Sequence, residues 1–173
     1  LRLPEEVIFR AVPGSGVLRK DPGAPTNAGE MACMFSSGRN FEYFSEDPLI
    51  SGKMASAMVR GLQSLPGGGG CIKHYAANNQ ETNRNAVDSV IGQRALREIY
   101  LEPYKIAIQE SQPLSIMSSY NLINGVPTAD SYDLCTDLAR GEWGFEGLIM
   151  TDWNGGSSTP WKSMHAGNDL IMP

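Results

Sequence analysis

Histidine and cysteine are scarce in this sequence of 173 residues, which contains two histidines and three cysteines. The histidines, His74 and His165, are too few for a metal centre built on several imidazoles, and we expect no metal. Cys33, Cys71 and Cys135 are odd in number and have no C-x-x-C spacing, which argues against a disulfide framework and against a zinc site. We therefore expect buried, reduced thiols. These favour a cytoplasmic location only slightly, since a truncated start would hide any signal peptide, and the localisation stays unknown.

Long apolar runs and clusters of positive charge are missing as well. No stretch approaches the roughly 20 apolar residues that cross a bilayer, so we expect no membrane partner. The formal net charge is −5 and the 14 basic residues are scattered, which argues against a nucleic-acid partner. The glycine run at 67–70 lacks the Gly-Lys-Ser/Thr ending of a phosphate-binding loop, and we expect no cofactor. At 41% hydrophobic and 19% charged residues, the composition is typical of one globular domain. The net negative charge favours a neutral or cationic small substrate.

The middle of the chain alternates between helical and extended patterns. Asp47 as N-cap and Pro48 at the first helical position predict a helix, with a core face of apolar residues at every fourth position: Ile50, Met54, Met58 and Leu62. The glycine run ends this helix, and residues 71–75 then read as a short strand. From Asp88 a second helical pattern begins, which Pro103 kinks or divides and which ends near Glu110.

The pattern continues to the end of the sequence. Residues 114–118 predict a strand, Asn124-Gly125 a turn, and Asp130 or Ser131 the N-cap of a helix that Gly144 ends. Strands follow near 147 and 169. Strands separated by helices indicate right-handed βαβ units and a parallel sheet. A closed eight-stranded barrel needs about 250 residues. The fold class predicted is therefore α/β, a partial (β/α)8 TIM-like barrel with about half of the barrel present.

The boundaries of the predicted domain follow from the distribution of turn residues. Residues 1–37 are interrupted by Pro-Gly pairs and read mostly as loop, although residues 7–12 could form a strand. Residues 38–173 form the predicted partial barrel domain. Because the sequence stops directly after a strand, we expect an excised piece. Its open sheet edges would favour self-association, or pairing with the missing half of the barrel.

The run Leu148-Ile149-Met150-Thr151-Asp152-Trp153 ends an apolar strand at a carboxylate. In barrels and open α/β folds the chemistry lies where strands end, so Asp152 would point into a site from a rigid support. Trp153 would add a flat apolar wall beside it. The alternative is that Asp152 caps the next helix, because Asp is a favoured N-cap residue. Strand and residue type alone leave both interpretations open.

Four short runs give the sequence a resemblance to glycoside hydrolase family 3: GRNFEYFSEDP at 38–48, KHYAANNQE at 73–81, SYN at 119–121 and TDW at 151–153. The resemblance implies a retaining β-glycosidase of the β-glucosidase type, acting on a β-linked sugar substrate. By the same resemblance Asp152 is the nucleophile. The resemblance further assigns Arg39, Lys73 and His74 to the sugar hydroxyls, and Tyr120 and Trp153 to the surroundings of the nucleophile. Residues 1–37 carry no matching motif.

Retention requires two carboxyl groups about 5 Å apart, one as nucleophile and one as acid and base. Asp152 can be the first, since neighbouring cations favour its ionised form and a tyrosine hydroxyl can donate to it. The family's acid/base glutamate lies on a second domain that we expect to be absent from this chain. Glu42, Glu46 and Glu81 are weaker candidates for that role, because each fits a loop scaffold better.

The predicted function is therefore a fragment of a retaining β-glycosidase that hydrolyses terminal β-D-glycosyl residues through a covalent intermediate on Asp152. Without its acid/base domain, the isolated chain would be inactive or weakly active. Two alternatives stay open: a non-catalytic carbohydrate-binding fragment, and a glycoside phosphorylase of the same fold. The partners expected are the sugar and the missing acid/base domain of the parent enzyme.

Two sugar-binding assignments carry a geometric condition. Lys73 and His74 are adjacent, and adjacent residues of a regular strand point to opposite faces. If both bind one sugar, the backbone must be irregular there, by a bulge or a non-proline cis peptide. For Arg39, the alternative to sugar binding is an ion pair with Glu42, Glu46 or Asp47.

Overall fold

The computed structural model of this chain describes residues 42–155 and 159–173. The expectations for residues 1–37, for Cys33 and for Arg39 lie outside the described residues. In chain order the elements are α1 (Pro48–Gln63), β1 (Cys71–Tyr75), β2 (Asp88–Ser89), α2 (Gln93–Ala95), a π-helical turn (Leu96–Tyr100), α3 (Glu102–Ser111), β3 (Ser115–Ser118), β4 (Leu122–Ile123), β5 (Val126–Pro127), a 3-10 turn (Thr128–Asp130), the π-helix α4 (Asp133–Glu142), β6 (Leu148–Met150) and α5 (Pro160–Ala166).

The main sheet is parallel and follows the order of the chain. β3 lies between β1 and β6 and pairs with both in parallel. A parallel bridge between Met150 and Leu170 then brings in the next segment, where the sequence predicts a strand at 168–172. Helices connect the strands, as βαβ units require. The predicted α/β class, a partial barrel with a parallel sheet, is confirmed.

Helix α1 begins as the sequence predicts but packs through a different face. The Oδ1 of Asp47 accepts a hydrogen bond from the Ile50 amide at 2.9 Å, and Pro48 follows at the first helical position. The expected core residues Ile50 and Met54 are 52% and 49% exposed, so this part of the prediction is wrong. The buried face consists of smaller residues: Ser51, Gly52, Ala55, Ser56 and Val59. Small side chains let α1 approach α3 closely, and that contact replaces the burial of the long side chains.

The second helix begins later than its pattern suggests. Asp88 and Ser89 form β2, which pairs in parallel with β4, and helix α2 starts only at Gln93. The Asp88 carboxylate accepts from the Gly125 amide at 3.0 Å, so it fixes a turn instead of capping a helix. The predicted Asn124-Gly125 turn is confirmed: both residues have positive φ, 50° and 85°, and they join the antiparallel strands β4 and β5.

The last long helix has the predicted ends. The Ser131 hydroxyl accepts from the Leu134 amide at 3.3 Å, and Gly144 follows the helix with a φ of 72°. Glycine adopts this left-handed conformation without a Cβ penalty, which explains the helix end. None of the helices in the described ranges combines the length and apolarity that crossing a bilayer requires.

The two faces of the main sheet contact different neighbours. Ile72, Ile116 and Ile149 point toward the helices and belong to the large apolar core. Residues one position away, Cys71, Met117 and Met150, form a second cluster on the other face, which we call the inner face, and Met172 packs against it. Because side chains alternate along a strand, Lys73 and Asp152 follow Cys71 and Met150 on the inner face. The free, buried state predicted for Cys71 and Cys135 is confirmed.

The contact between α1 and α3 can be tested with two glycines of the same helix. A Cβ added to Gly52 would lie 2.7 Å from the Cβ of Ile106, whereas one added to Gly61 meets nothing within 4 Å. We expect Gly52→Ala to lower the free energy of unfolding by about 1–3 kcal/mol through overpacking. Gly61→Ala should raise it by about 1 kcal/mol through helix propensity. Urea denaturation measures both, and equal effects of the two substitutions would contradict the packing described.

Candidate active site

Asp152 lies two residues beyond β6 and is 5% exposed. Its Oδ1 accepts a hydrogen bond from the Trp153 amide at 2.7 Å. Its Oδ2 is buried and has no hydrogen-bond partner among the described residues. Asp152 does not cap the next helix, because α5 starts at Pro160 and its N-cap is Thr159. A buried carboxylate oxygen with spare acceptor capacity is costly to the fold, and such positions are candidates for function.

His74 faces this carboxylate from the end of β1. The Nε2 of His74 lies 3.6 Å from the Oδ2 of Asp152, and both side chains are almost fully buried. On the other side of the ring, the Tyr43 hydroxyl is 3.0 Å from Nδ1. The Tyr104 hydroxyl donates to the His74 carbonyl at 2.6 Å. Side chain and backbone of His74 are therefore both held by tyrosines.

Lys73 lies beside His74 and is also buried. Its Nζ donates to the Oε2 of Glu42 at 3.0 Å. The irregular backbone that the sequence analysis requires here is confirmed: the Lys73–His74 peptide is cis, and the register of β1 against β3 shifts between Ile72 and Tyr75. The side chains of Lys73 and His74 can therefore point toward the same part of the site, although the two residues are adjacent in the strand.

Tyr120 lies beside the turn that follows Asp152 but does not form the predicted hydrogen bond with the Asp152 carboxylate. Its hydroxyl donates to the backbone carbonyl of Trp153 at 2.6 Å and not to the Asp152 carboxylate, so that expectation is corrected. The cause is the tight turn after Asp152, in which the Gly155 amide donates to the Asp152 carbonyl at 2.8 Å and brings the Trp153 carbonyl to Tyr120. The indole of Trp153 is 50% exposed and available as a surface for a ligand.

Arg84 is a site neighbour that the sequence analysis missed. Its guanidinium lies 4.3 Å from the centroid of the Tyr120 ring, within the range of a cation–π contact. It also donates to Glu81 at 2.9 Å, and Asn78 donates to the same glutamate at 3.3 Å. The spacing of Glu81 and Arg84 could have suggested an ion pair. Their contact with Tyr120, however, joins residues 36 positions apart in the sequence and leaves no local signal.

Two further residues missed as site components are Glu42 and Tyr43, the first of which is predicted from the sequence to fit a loop scaffold. They contact Lys73 and His74, respectively, across 31 positions of sequence. The structure therefore brings together Asp152, His74, Lys73, Tyr120 and Trp153, supported by Glu42, Tyr43 and Arg84. In the described ranges, no three histidine, cysteine or carboxylate side chains are grouped as metal ligands would be.

A neutral thiol lies close to this group on the inner face. Burial raises the pKa of Cys71 to about 11, and Asp152 adds to the increase, while a hydrogen bond with Ser115 and the charge of Lys73 oppose it. Burial likewise raises the pKa of Cys135 to about 12. Both thiols are therefore protonated at neutral pH, and Cys71 adds no charge beside Asp152.

The family model that matches this chain and two similar relatives all come from glycoside hydrolases. Residues 31–172 match the sequence model described as Glycosyl hydrolase family 3 N terminal domain. The chain is 53% identical over 136 residues to β-glucosidase B of Emericella nidulans, covering 79% of this chain and 16% of that protein. It is 50% identical over 136 residues to an exo-α-(1→6)-L-arabinopyranosidase of Bifidobacterium longum, covering 79% and 18%.

A solved structure resembles this fold closely. β-Glucosidase 3B from Thermotoga neapolitana, in complex with glucose, superimposes with a TM-score of 0.76 at 55% sequence identity. The match covers 79% of this chain and 19% of that chain. The chain thus spans less than a fifth of the length of these relatives.

The raised thiol pKa values predict slow alkylation of the native protein. With a pKa of about 11, roughly one Cys71 in a thousand is a thiolate at pH 8, and each unit of higher pH should raise that fraction about tenfold. We expect iodoacetamide to leave Cys71 and Cys135 unmodified at pH 8 in the folded chain and to modify both in denaturant, as read by peptide mass spectrometry. Native alkylation at a rate within tenfold of that of glutathione would contradict this environment.

Proposed function

This chain belongs to glycosyl hydrolase family 3, and from that membership we propose that it provides the nucleophile and the sugar-holding residues of a retaining β-glycosidase of the β-glucosidase type. The proposed substrate is a terminal β-D-glycosyl residue. The observation that carries the proposal is the buried Oδ2 of Asp152, which has no hydrogen-bond partner among the described residues and lies at the carboxyl end of a parallel strand.

In the proposed reaction, the Oδ2 of Asp152 attacks the anomeric carbon. The bond from that carbon to the leaving oxygen breaks, a carboxylic acid protonates the leaving oxygen, and the sugar stays as an ester on Asp152. A water molecule then attacks the same carbon, gives its proton to the carboxylate formed in the first step, and releases Asp152. The attacking oxygen must belong to an ionised carboxylate, since only that form is nucleophilic.

The sugar-holding residues are assigned by their chemistry and position. Sugar hydroxyls need directed donors and acceptors, which the buried Lys73 and His74 supply beside Asp152. Trp153 offers a half-exposed ring on which an apolar sugar face can pack. Arg39 remains a sugar-binding candidate by its motif. Tyr120 holds the backbone that follows Asp152, and Arg84 packs on the Tyr120 ring.

We place the acid and base carboxyl outside residues 38–173, and we propose that the active protein includes a further domain. Glu42 is bound by Lys73 and Glu81 by Arg84, while Glu46 lies in the loop before α1. The greater length of the relatives supports the same arrangement. The 50% identity to an arabinopyranosidase beside 53% to a β-glucosidase indicates that this part of the protein does not determine the sugar on its own.

A mechanism-based reagent tests the nucleophile without the missing acid. A 2-deoxy-2-fluoro-β-D-glucoside with a dinitrophenyl leaving group needs little protonation, so the 173-residue chain should form a covalent adduct. We expect one adduct per chain, located on the peptide that contains Asp152, and none with Asp152→Asn.

Asp137→Asn serves as the matched control, because Asp137 is an exposed carboxylate on α4, away from the strand ends. This variant should be labelled like the unchanged chain. Labelling of another residue, or of Asp152→Asn, would contradict the assignment. A chain that is folded by circular dichroism and binds glucose, but takes no label, would indicate the non-catalytic carbohydrate-binding alternative.

A further inference from the structure

Two neighbouring residues on the segment before α1 each contact one of two neighbouring residues at the end of β1. Glu42 accepts from the Nζ of Lys73 at 3.0 Å, and the Tyr43 hydroxyl lies 3.0 Å from the Nδ1 of His74. The side chains of Glu42 and Lys73 are 13% and 8% exposed, so this ion pair is largely removed from water. Buried charged pairs fix geometry more than they add stability. The contacts therefore suggest a role in orientation.

The surroundings of the His74 ring determine which nitrogen carries the proton. The Oδ2 of Asp152 is the group opposite Nε2, it can only accept hydrogen bonds when ionised, and it has no other partner among the described residues. At 3.6 Å the two atoms are too far apart for a hydrogen bond, but a proton on Nε2 is attracted to the carboxylate oxygen, whereas a lone pair there would face a negative charge. In a neutral imidazole the proton on Nε2 leaves Nδ1 as the acceptor. The Tyr43 hydroxyl is then the donor to Nδ1.

We propose that Glu42 and Tyr43 are positioning residues for Lys73 and His74, and that Tyr43 donates to Nδ1 and fixes His74 as the neutral Nε2–H tautomer facing Asp152. The hydrogen-bond geometry stands on its own, while its value for catalysis rests on the function proposed above. Glu42 acts in the same way on Lys73, since it accepts a hydrogen bond from the ammonium group and fixes its direction. Both binding groups are thereby oriented before a ligand arrives, which reduces the entropy lost on binding.

The competing arrangement is an imidazolium, in which both ring nitrogens donate and Tyr43 accepts. Among the described residues, the charged or titratable groups that face His74 include Asp152 at Nε2, Tyr43 at Nδ1, Tyr104 at its carbonyl and Lys73 next to it in sequence. Asp152 favours the imidazolium and Lys73 opposes it. The neutral tautomer and the imidazolium differ in their nitrogen spectra, so the test distinguishes them.

The scarcity of histidine makes the measurement direct. Long-range ¹H–¹⁵N correlation spectra of the ¹⁵N-labelled 173-residue chain contain ring signals of two histidines only, buried His74 and exposed His165. His165→Gln assigns them. We expect His74 to show one protonated nitrogen, Nε2, and one unprotonated nitrogen, Nδ1, at neutral pH.

Tyr43→Phe removes the donor while keeping the ring, and we expect it to shift the Nδ1 signal of His74 and to admit the Nδ1–H tautomer. Tyr132→Phe is the matched control. Tyr132 packs against the His165 ring with centroids 5.6 Å apart, and its substitution should leave the His74 signals in place. In the fluoro-glycoside assay, Tyr43→Phe should slow labelling roughly fivefold, as the loss of one hydrogen bond predicts.

The His74 spectrum of the unsubstituted chain tests the proposal even if Tyr43→Phe does not fold. An Nδ1–H tautomer or an imidazolium at His74 in the folded chain overturns it, and so does a folded Tyr43→Phe variant with an unaltered His74 spectrum. The experiments distinguish failure of the tautomer assignment from failure of the glycosidase function. Absence of a covalent adduct, together with the expected His74 spectrum, rejects the glycosidase function and keeps the tautomer assignment.

Discussion

The parallel pairing of β3 with β1 on one side and β6 on the other is the constraint on which the site depends. His74 is the last residue but one of β1, Tyr120 follows β3 and Asp152 follows β6, so the three residues come from segments separated by helices. Parallel pairing places the carboxyl ends of these strands at one edge, and only there can these side chains meet. The register of β1 against β3 shifts between Ile72 and Tyr75, and this irregularity lets the adjacent side chains of Lys73 and His74 point toward the same part of the site.

Burial determines what the assembled side chains can do. Lys73, His74 and Asp152 are buried and their partners Glu42 and Tyr43 are partly buried, so the charges and hydrogen bonds of the three buried residues act in a medium of low polarity. The neighbouring Cys71 stays neutral under these conditions, because burial raises its pKa to about 11. The inner face therefore combines a few strong polar contacts with an otherwise apolar wall of methionine side chains.

The sequence predicted the parts that depend on local pattern. The strand at Cys71–Tyr75, the turn at Asn124-Gly125, the caps of α1 and α4 and the position of Asp152 all follow from neighbouring residues. Where tertiary packing decides, prediction failed: α1 buries Gly52 and Ser56 instead of Ile50 and Met54, because close approach to α3 outweighs the apolar pattern. Contacts such as Tyr43 with His74, and Arg84 with Tyr120, join distant positions for which one sequence carries no signal.

The turn after Asp152 is held through backbone atoms of Trp153, so the identity of the side chain at position 153 does not affect the placement of Asp152. Asp152 receives a hydrogen bond from the backbone amide of Trp153, and Tyr120 donates to the backbone carbonyl of the same residue. Neither bond involves the indole, which extends half-exposed beyond them. Any amino acid except proline can supply the same amide and carbonyl. Position 153 is consequently a place where selection, natural or in the laboratory, can exchange the surface offered to a ligand while the carboxylate stays where it is.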